Sequence, residues 1–144
     1  MKAFVVQGNR KAGIETVPVP AIDDNDVLVH VVAVGQNPTD WKCKSAGHIE
    51  PRRAYAQLRF SYAAVKLSDR AGVICGCDYS GYVVKIGKDV TLLSVGDHVA
   101  GFTHGSIFKD RGAFAEYLKI AEDLAFKVPE GTLSHEEAAT LGGA

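Results

Sequence analysis

The sequence has 144 residues, of which 47% are apolar and 23% are charged, and its formal net charge is −1. These values are typical of a soluble globular domain, which at this length buries roughly 70% of the surface of its unfolded chain. So small a net charge gives no field that would attract nucleic acid or an anionic membrane. No apolar run approaches the ~20 residues of a transmembrane helix, and Met1 to Val6 is too short for a secretory signal. With an odd number of cysteines, three, the sequence favours a reducing, cytoplasmic location.

Three strands are predicted in the first part of the chain, over residues 2–7, 14–19 and 27–35. Pro18 and Pro20 cannot donate to a ladder, so the second strand is expected at a sheet edge or to end early. The third strand is almost continuously apolar, which predicts a central strand buried on both faces. Asn37 is a good N-cap and Pro38 suits a first turn, so a short helix is predicted over 38–46.

The second part of the chain is punctuated by glycines and also predicts strands, over residues 82–86, 98–102, 113–120 and 124–128. In the first of these, Tyr82, Val84 and Ile86 share one face, while Val83 and Lys85 share the other. Residues 134–137 read Ser-His-Glu-Glu, a capping box that predicts a helix beginning at residue 135. The pattern therefore predicts a mainly β fold with short helices.

The glycine-rich stretch resembles a known family. It reads Gly76-Cys77-Asp78-Tyr79-Ser80-Gly81, then Gly87, Val90 and Gly96-Asp97-His98-Val99. This run is similar to the N-terminal domain of the medium-chain dehydrogenase/reductase superfamily. The resemblance implies a GroES-like, partly open β-barrel over residues 1–133, with 134–144 as the truncated start of a helix. In the family that helix leads to a Rossmann domain with a glycine-rich loop for the NAD(P)H pyrophosphate. We expect that domain to be lacking here, because the Gly142-Gly143 pair does not follow a predicted strand.

The resemblance also bears on metal binding. Zinc members of the family hold their metal with a cysteine, a histidine and a second cysteine or acid. The place of the first cysteine is taken here by Asn37, a poor zinc ligand, and that of the histidine by Cys77. The four cysteines of the structural zinc lobe, expected after Gly101, are also missing. The sequence therefore predicts a zinc-independent enzyme without a metal site, most similar to the fungal trans-acting enoyl reductases that partner polyketide synthases.

This branch of the family implies an NADPH-dependent oxidoreductase acting on a small-molecule or carrier-bound acyl substrate, with a polyketide synthase as partner. Asn37, Thr39 and Asp40 would border the nicotinamide, although a helix N-cap and its first turn explain them equally well. Lys42 would stabilise enolate charge, or it is an exposed helical lysine. Tyr79 would donate a hydrogen bond or a proton in the same pocket, or it is a strand tyrosine.

Other classes of function stay open. The chain could be quinone-reductase-like, a zinc alcohol dehydrogenase, an inactive truncated product, or a binding module that uses the barrel surface. The five histidines are scattered along the sequence, and no triad of a histidine with a serine is predicted. We expect the 144 residues alone to be inactive, because the main cradle of the cofactor is missing.

Residues 51–70 interrupt the family pattern as an atypical insertion with five basic residues and one acidic residue. Tyr55, Leu58, Tyr62 and Val65 form a helical stripe, which would suit a helix that binds a membrane surface or a partner. We favour a translated insertion without evolved structure, such as an unspliced intron. Sequencing the mature transcript tests this hypothesis, because a message that retains these codons contradicts it.

Overall fold

The computed structural model describes residues 1–8, 11–38, 40 and 71–143 of the chain. The prediction for residues 51–70 and most of the predicted helix over 38–46 lie outside the described residues. The elements in chain order are β1 (Lys2–Gly8), β2 (Lys11–Thr16), β3 (Asp26–Gly35), β4 (Asp78–Ile86), β5 (His98–Phe102), β6 (Tyr117–Ala121), a 3₁₀ turn (Glu122–Leu124), β7 (Ala125–Lys127) and α1 (His135–Ala138). The predicted mainly β class is therefore confirmed.

The strands form two antiparallel sheets. One is the hairpin of β1 and β2, and the other has five strands in the order β6-β3-β4-β5-β7. Backbone hydrogen bonds from Phe4 N–H to Phe114 O (2.8 Å) and from Val6 N–H to Val73 O (3.0 Å) attach the hairpin to the rest. Among the described residues the sheets do not close, as expected for a partly open barrel. No helix in this part of the chain is long and apolar enough to cross a bilayer.

The main core lies on the inner face of the five-stranded sheet. Its buried members come from β3, β4, β5, β6 and the loops between them: Val27, Val29, Tyr79, Val83, Leu93, Val99, Ala113, Leu118 and Ile120. Burying a side chain of this size contributes about 1.5–3 kcal/mol. Burial of β3 on both faces is found only over 26–29, because Val32 and Val34 in its second half are 47% and 37% exposed. The prediction of a strand buried throughout was wrong there.

Three strands differ by three or more residues from the predicted bounds. β4 begins at Asp78, four residues before the predicted start at Tyr82. β2 begins three residues early and ends at Thr16, ahead of Pro18, which has no N–H to donate. Residues 113–116 are not part of β6, because their N–H groups bond in turn to different segments. Ala113 donates to Gly76 O at 2.9 Å, whereas Glu116 donates to Lys2 O at 3.0 Å. Alternation of apolar side chains cannot distinguish such a crossing segment from a regular strand.

The pairing of β3 with β4 contains two register shifts. One shift lies between Leu28 and Val29, where Val84 of β4 is the extra residue, and the other lies between Val31 and Ala33, where Val32 of β3 is extra. Each is a β-bulge, which bends a strand and increases its twist. After the second bulge the register ends with Gly35 opposite Asp78. This pairing places the carboxyl end of β3 beside the start of β4.

A buried lysine ties β6 to two loops. The Lys119 ammonium lies 2.9 Å from Asp110, 3.2 Å from Asp23 and 3.9 Å from Asp26, and its side chain is 8% exposed. Burial works to lower the pKa of Lys119, but the bonds to Asp110 and Asp23 raise the pKa by more. The lysine therefore stays charged, and its single positive charge is shared among Asp110, Asp23 and the more distant Asp26.

Candidate active site at the ends of strands β3 and β4

The turn after β3 brings Asn37 and Asp40 together. The N–H of Asn37 donates to Oδ2 of Asp40 at 2.7 Å, and the N–H of Asp40 donates to the carbonyl oxygen of Asn37 at 3.0 Å. Pro38 and Asp40 have helical backbone. These reciprocal bonds satisfy backbone groups that the start of a helix leaves without partners. The side-chain amide of Asn37 takes no part in them and reaches another element.

That element is β4, where the Asn37 side chain donates from Nδ2 to Oδ2 of Asp78. The contact follows from the strand register, which sets Gly35 opposite Asp78 two residues before Asn37. Gly143 lies against the same carboxylate, because a Cβ at Gly143 would be 2.9 Å from Oδ1 of Asp78. Asp78 thus joins three segments that are far apart in the sequence.

Two buried carboxyl groups, those of Asp40 and Asp78, interact electrostatically at this site. Burial raises the pKa of Asp78; the bond from Asn37 lowers it, Asp40 raises it, and the backbone of Gly143 lowers it, with a net shift upward. Among the described residues, Oδ1 of Asp40 and Oδ1 of Asp78 have no hydrogen-bond partner although both atoms are buried. The site therefore offers acceptors to a ligand that carries hydrogen-bond donors.

The segment from α1 to Gly143 lies across the same face of β4. A Cβ at Gly35 would be 2.6 Å from the carbonyl oxygen of Ala139, and a Cβ at Gly142 would be 2.2 Å from that of Gly101. Backbone atoms cannot move aside as a flexible side chain can, so both positions require glycine. This close approach excludes water from one side of Asp78.

The predicted site residues have different outcomes. Asn37 and Asp40 lie together, whereas Thr39 and Lys42 lie outside the described residues and their roles stay predictions. Tyr79 points to the opposite face of β4 from Asp78, because successive side chains alternate. Tyr79 is fully buried in the main core, and burial raises the pKa of its hydroxyl. The prediction that Tyr79 shares a pocket with Asn37 was wrong, so its catalytic role is not taken further.

The donors at this site do not fit a catalytic zinc ion. Zinc prefers thiolate, imidazole and carboxylate ligands in a tetrahedral arrangement. Here the Asn37 amide donates a hydrogen bond to Oδ2 of Asp78, so that carboxylate oxygen is already used. Cys77 is buried in the segment just before β4. No group of three or more His, Cys, Asp or Glu side chains in the described part of the chain is arranged to hold a metal.

A second polar cluster lies at Ser80, two residues after Asp78 and on the same face of β4. Oγ of Ser80 is 2.8 Å from Nε2 of His98 and 2.8 Å from Nδ1 of His135, and it donates to Val99 O at 3.2 Å. The sequence predicted no triad of a histidine with a serine, and it did not indicate that His98 and His135 meet at Ser80. The three residues are distant in sequence, and only the β4–β5 register together with the position of α1 would have indicated the cluster.

An open groove of about 740 Å³ begins at Asn37 and Asp40 and extends between the β1–β2 hairpin and β3. Its apolar lining includes Phe4, Ile14 and Val34. Ligand sites of this volume hold molecules of the size of a cofactor fragment or a short acyl chain.

Comparisons with known proteins agree with this fold. Residues 23–130 match the family described as the alcohol dehydrogenase GroES-like domain. The chain is 38% identical over 98% of its length to a trans-enoyl reductase of Alternaria alternata, and 41% identical over 87% to one of Aspergillus sclerotiorum. It covers 36% and 30% of those proteins, so it spans about a third of their length.

Among solved structures, a quinone oxidoreductase from Coxiella burnetii superposes with a TM-score of 0.76 at 28% identity. The superposition covers 99% of this chain and 41% of that protein. An alcohol dehydrogenase superfamily protein from Novosphingobium aromaticivorans gives a TM-score of 0.74 at 26% identity, covering 98% and 37% of the two chains. The resemblance seen in the glycine-rich stretch is confirmed, and the chain belongs to the alcohol dehydrogenase GroES-like domain family.

Proposed function

We propose that this chain is the N-terminal, substrate-side part of a zinc-independent, NADPH-dependent enoyl reductase. The observation that carries the proposal is the hydrogen bond of Asn37, which takes the place of a zinc ligand in the family resemblance. Its side-chain amide donates to Asp78, and an amide used in this way does not fit zinc. The identity to trans-enoyl reductases over nearly the whole chain supports the same branch of the family.

NADPH would supply a hydride to the β-carbon of an α,β-unsaturated thioester, and a proton from the protein or from solvent would complete the reduction at the α-carbon. Asn37, Thr39 and Asp40 would border the nicotinamide. Oδ1 of Asp40, which has no partner among the described residues, would accept an N–H of the nicotinamide carboxamide. Asp78 would hold the Asn37 side chain in one orientation. Lys42 would stabilise the negative charge that develops on the thioester oxygen.

The substrate class that we propose is an acyl chain, free or bound to the carrier domain of a polyketide synthase. The groove between the hairpin and β3 supports this class, because it begins at Asn37 and has apolar walls formed by residues such as Ile14 and Val34. A quinone is the second candidate, since the chain superposes on a quinone oxidoreductase over 99% of its length.

A chimera tests the proposal. Residues 1–144 replace the aligned segment of the Alternaria trans-enoyl reductase, and NADPH oxidation is followed with a crotonyl thioester, a carrier-bound crotonyl group and a quinone. We expect reduction of the thioesters, and an Asn37→Ala variant that loses at least about tenfold in kcat/KM. A chimera that binds NADPH and is folded but reduces no thioester contradicts the proposal, and turnover of quinone alone favours the second candidate.

The isolated 144-residue chain gives an independent test. We expect no saturable NADPH binding in the micromolar range and substoichiometric zinc in the purified protein. Tight NADPH binding would show that the division of function between the parts is wrong, and one zinc per chain would favour the zinc alcohol dehydrogenase alternative.

A further inference from the structure

The cluster of Ser80, His98 and His135, hereafter the histidine clasp, connects three elements. Ser80 lies on β4, His98 begins β5 and His135 begins α1. The two imidazole rings have centroids 3.9 Å apart, and one serine oxygen lies 2.8 Å from a nitrogen of each ring. Ser80 is fully buried, so its hydroxyl depends on these partners and on Val99 O. The clasp is separate from the Asp78 site, and the proposed function does not use it.

The hydrogen-bond capacity of these groups determines which protonation states fit. A hydroxyl donates one bond and accepts two, and a neutral imidazole donates from one nitrogen and accepts at the other. Nε2 of His135 is buried and has no partner among the described residues. A neutral His135 with its proton on Nδ1 donates to Ser80 and leaves only an acceptor without a partner. A protonated His135 would leave a charged N–H buried without an acceptor, which costs more.

The surroundings of the clasp offer little compensation for positive charge. The Tyr82 ring on β4 contacts both imidazoles, at centroid distances of 5.8 and 4.7 Å, and His30 on β3 lies opposite Tyr82 in the register. Beside His98, Asp97 is already paired with Lys127 at 2.6 Å. Glu136 on α1 is the acidic residue that favours charge on His135.

The direction of the titration follows from these contacts. Burial lowers the pKa of His98 and of His135, the neighbouring His135 lowers the pKa of His98 further, and Glu136 only partly offsets the effect of burial on His135. Each histidine has a lower pKa when α1 is docked on β4 than when α1 is released. As the pH falls, protonation therefore favours the released form, and the docked form becomes less stable. The loss begins near the ordinary histidine value of about 6.5 and continues down to the lowered pKa.

We propose that the histidine clasp is a pH-sensitive contact that keeps α1 docked on β4 while both histidines are neutral and lets α1 detach when they are protonated. Ser80 and Asp78 share one face of β4, and the segment that ends α1 reaches Asp78 through Gly143. Release of α1 therefore also withdraws Gly143 from Asp78. The inference goes beyond the proposed function, because it requires no substrate or cofactor.

Hydrogen exchange of the 144-residue chain tests the clasp. The N–H groups of Ala138 and Ala139 donate within α1 at 2.9 Å, so their protection reports on that helix, while the N–H of Val83 in β4 reports on the sheet. After normalisation to intrinsic exchange rates, α1 protection should fall as the pH is lowered below about 6.5. The slope should approach, at most, tenfold per pH unit for each proton taken up, until the pH reaches the lowered pKa. The protection of Val83 should stay unchanged.

Variants separate the clasp from general acid effects. His135→Asn and His98→Gln place an amide near the ring nitrogen that meets Ser80 but cannot be protonated, so the double variant should lose the pH dependence. His104→Gln, an exposed histidine outside the clasp, should keep it. An equal fall in the double variant, or no fall in the unaltered chain, overturns the proposal.

A measurement without variants covers the case in which they fail to fold. Long-range ¹H–¹⁵N correlation spectra of the unaltered chain should show the proton of neutral His135 on Nδ1. Both clasp histidines should titrate below 6.5, together with a shift of the Gly143 amide signal. Titration of either clasp histidine at or above 6.5 contradicts the proposal.

Discussion

Replacing Tyr79 with phenylalanine tests directly where the structure places this residue. Tyr79 is fully buried, and its hydroxyl has no hydrogen-bond partner among the described residues. A buried polar group without a partner costs about 1–3 kcal/mol, and removing the oxygen leaves a void that returns part of this gain. We therefore expect Tyr79→Phe to raise the free energy of unfolding by about 1 kcal/mol.

Urea unfolding followed by circular dichroism measures the change. With a slope of about 1–3 kcal/mol per molar urea, the midpoint should rise by about 0.3–1 M. Tyr82→Phe, whose side chain is 45% exposed, is the matched control and should leave the midpoint unchanged. A loss of 1 kcal/mol or more at constant slope would refute the reasoning, because the hydroxyl would then have a partner such as a buried water. In the chimera the same variant should keep its activity, whereas loss of a proton donor would cost about 10²–10⁴-fold.

Three further substitutions test other parts of the fold. Lys119→Met should lower the free energy of unfolding, measured in urea, by about 2 kcal/mol, a value between those for exposed and buried ion pairs. The control Lys88→Met, at an exposed ion pair, should change it by less than about 0.5 kcal/mol. Equal effects of the two variants would contradict the buried network. Ser134→Ala removes one half of the capping box and should lower the protection of the α1 amides by about 1 kcal/mol, so unchanged exchange would argue against the cap. Gly81→Ala places a Cβ 2.1 Å from the carbonyl oxygen of His30 and should lower the melting temperature by the equivalent of about 3 kcal/mol. The control Gly13→Ala meets only a flexible side chain and should change the melting temperature far less. Similar melting temperatures for the two variants would mean that β3 and β4 are not paired as described.

Local sequence signals predicted the elements whose causes are local. The capping box of Ser134 and Glu137 begins α1 as expected, and both of its hydrogen bonds are present. β5 has the predicted bounds, residues 98–102, because a glycine turn and alternating side chains define it without help from other strands. The contact of Asn37 with the residue after Cys77 agrees with the family-based expectation that these positions are neighbours.

Features that depend on pairing between distant segments were missed. Alternation from Val83 back to Tyr79 would have placed that tyrosine on the core face, but its place in the family motif suggested a pocket. Ser80, His98 and His135 meet only because β4 pairs with β5 and α1 lies across both. Single-residue signals carry no information on such tertiary contacts, so the sequence could predict the Asn37 site better than the clasp.

The two bulges between β3 and β4 have a consequence for how these strands can change length. Val84 adds one residue to β4 and Val32 adds one to β3, so the pairing has the same offset at both ends of the ladder. Loss of either residue alone would slide Asn37 past Asp78 by about 3.3 Å, one step along a strand, and would separate them. Loss of both residues would restore the alignment. We therefore expect a deletion at one bulge to be tolerated only when the other bulge loses its extra residue too.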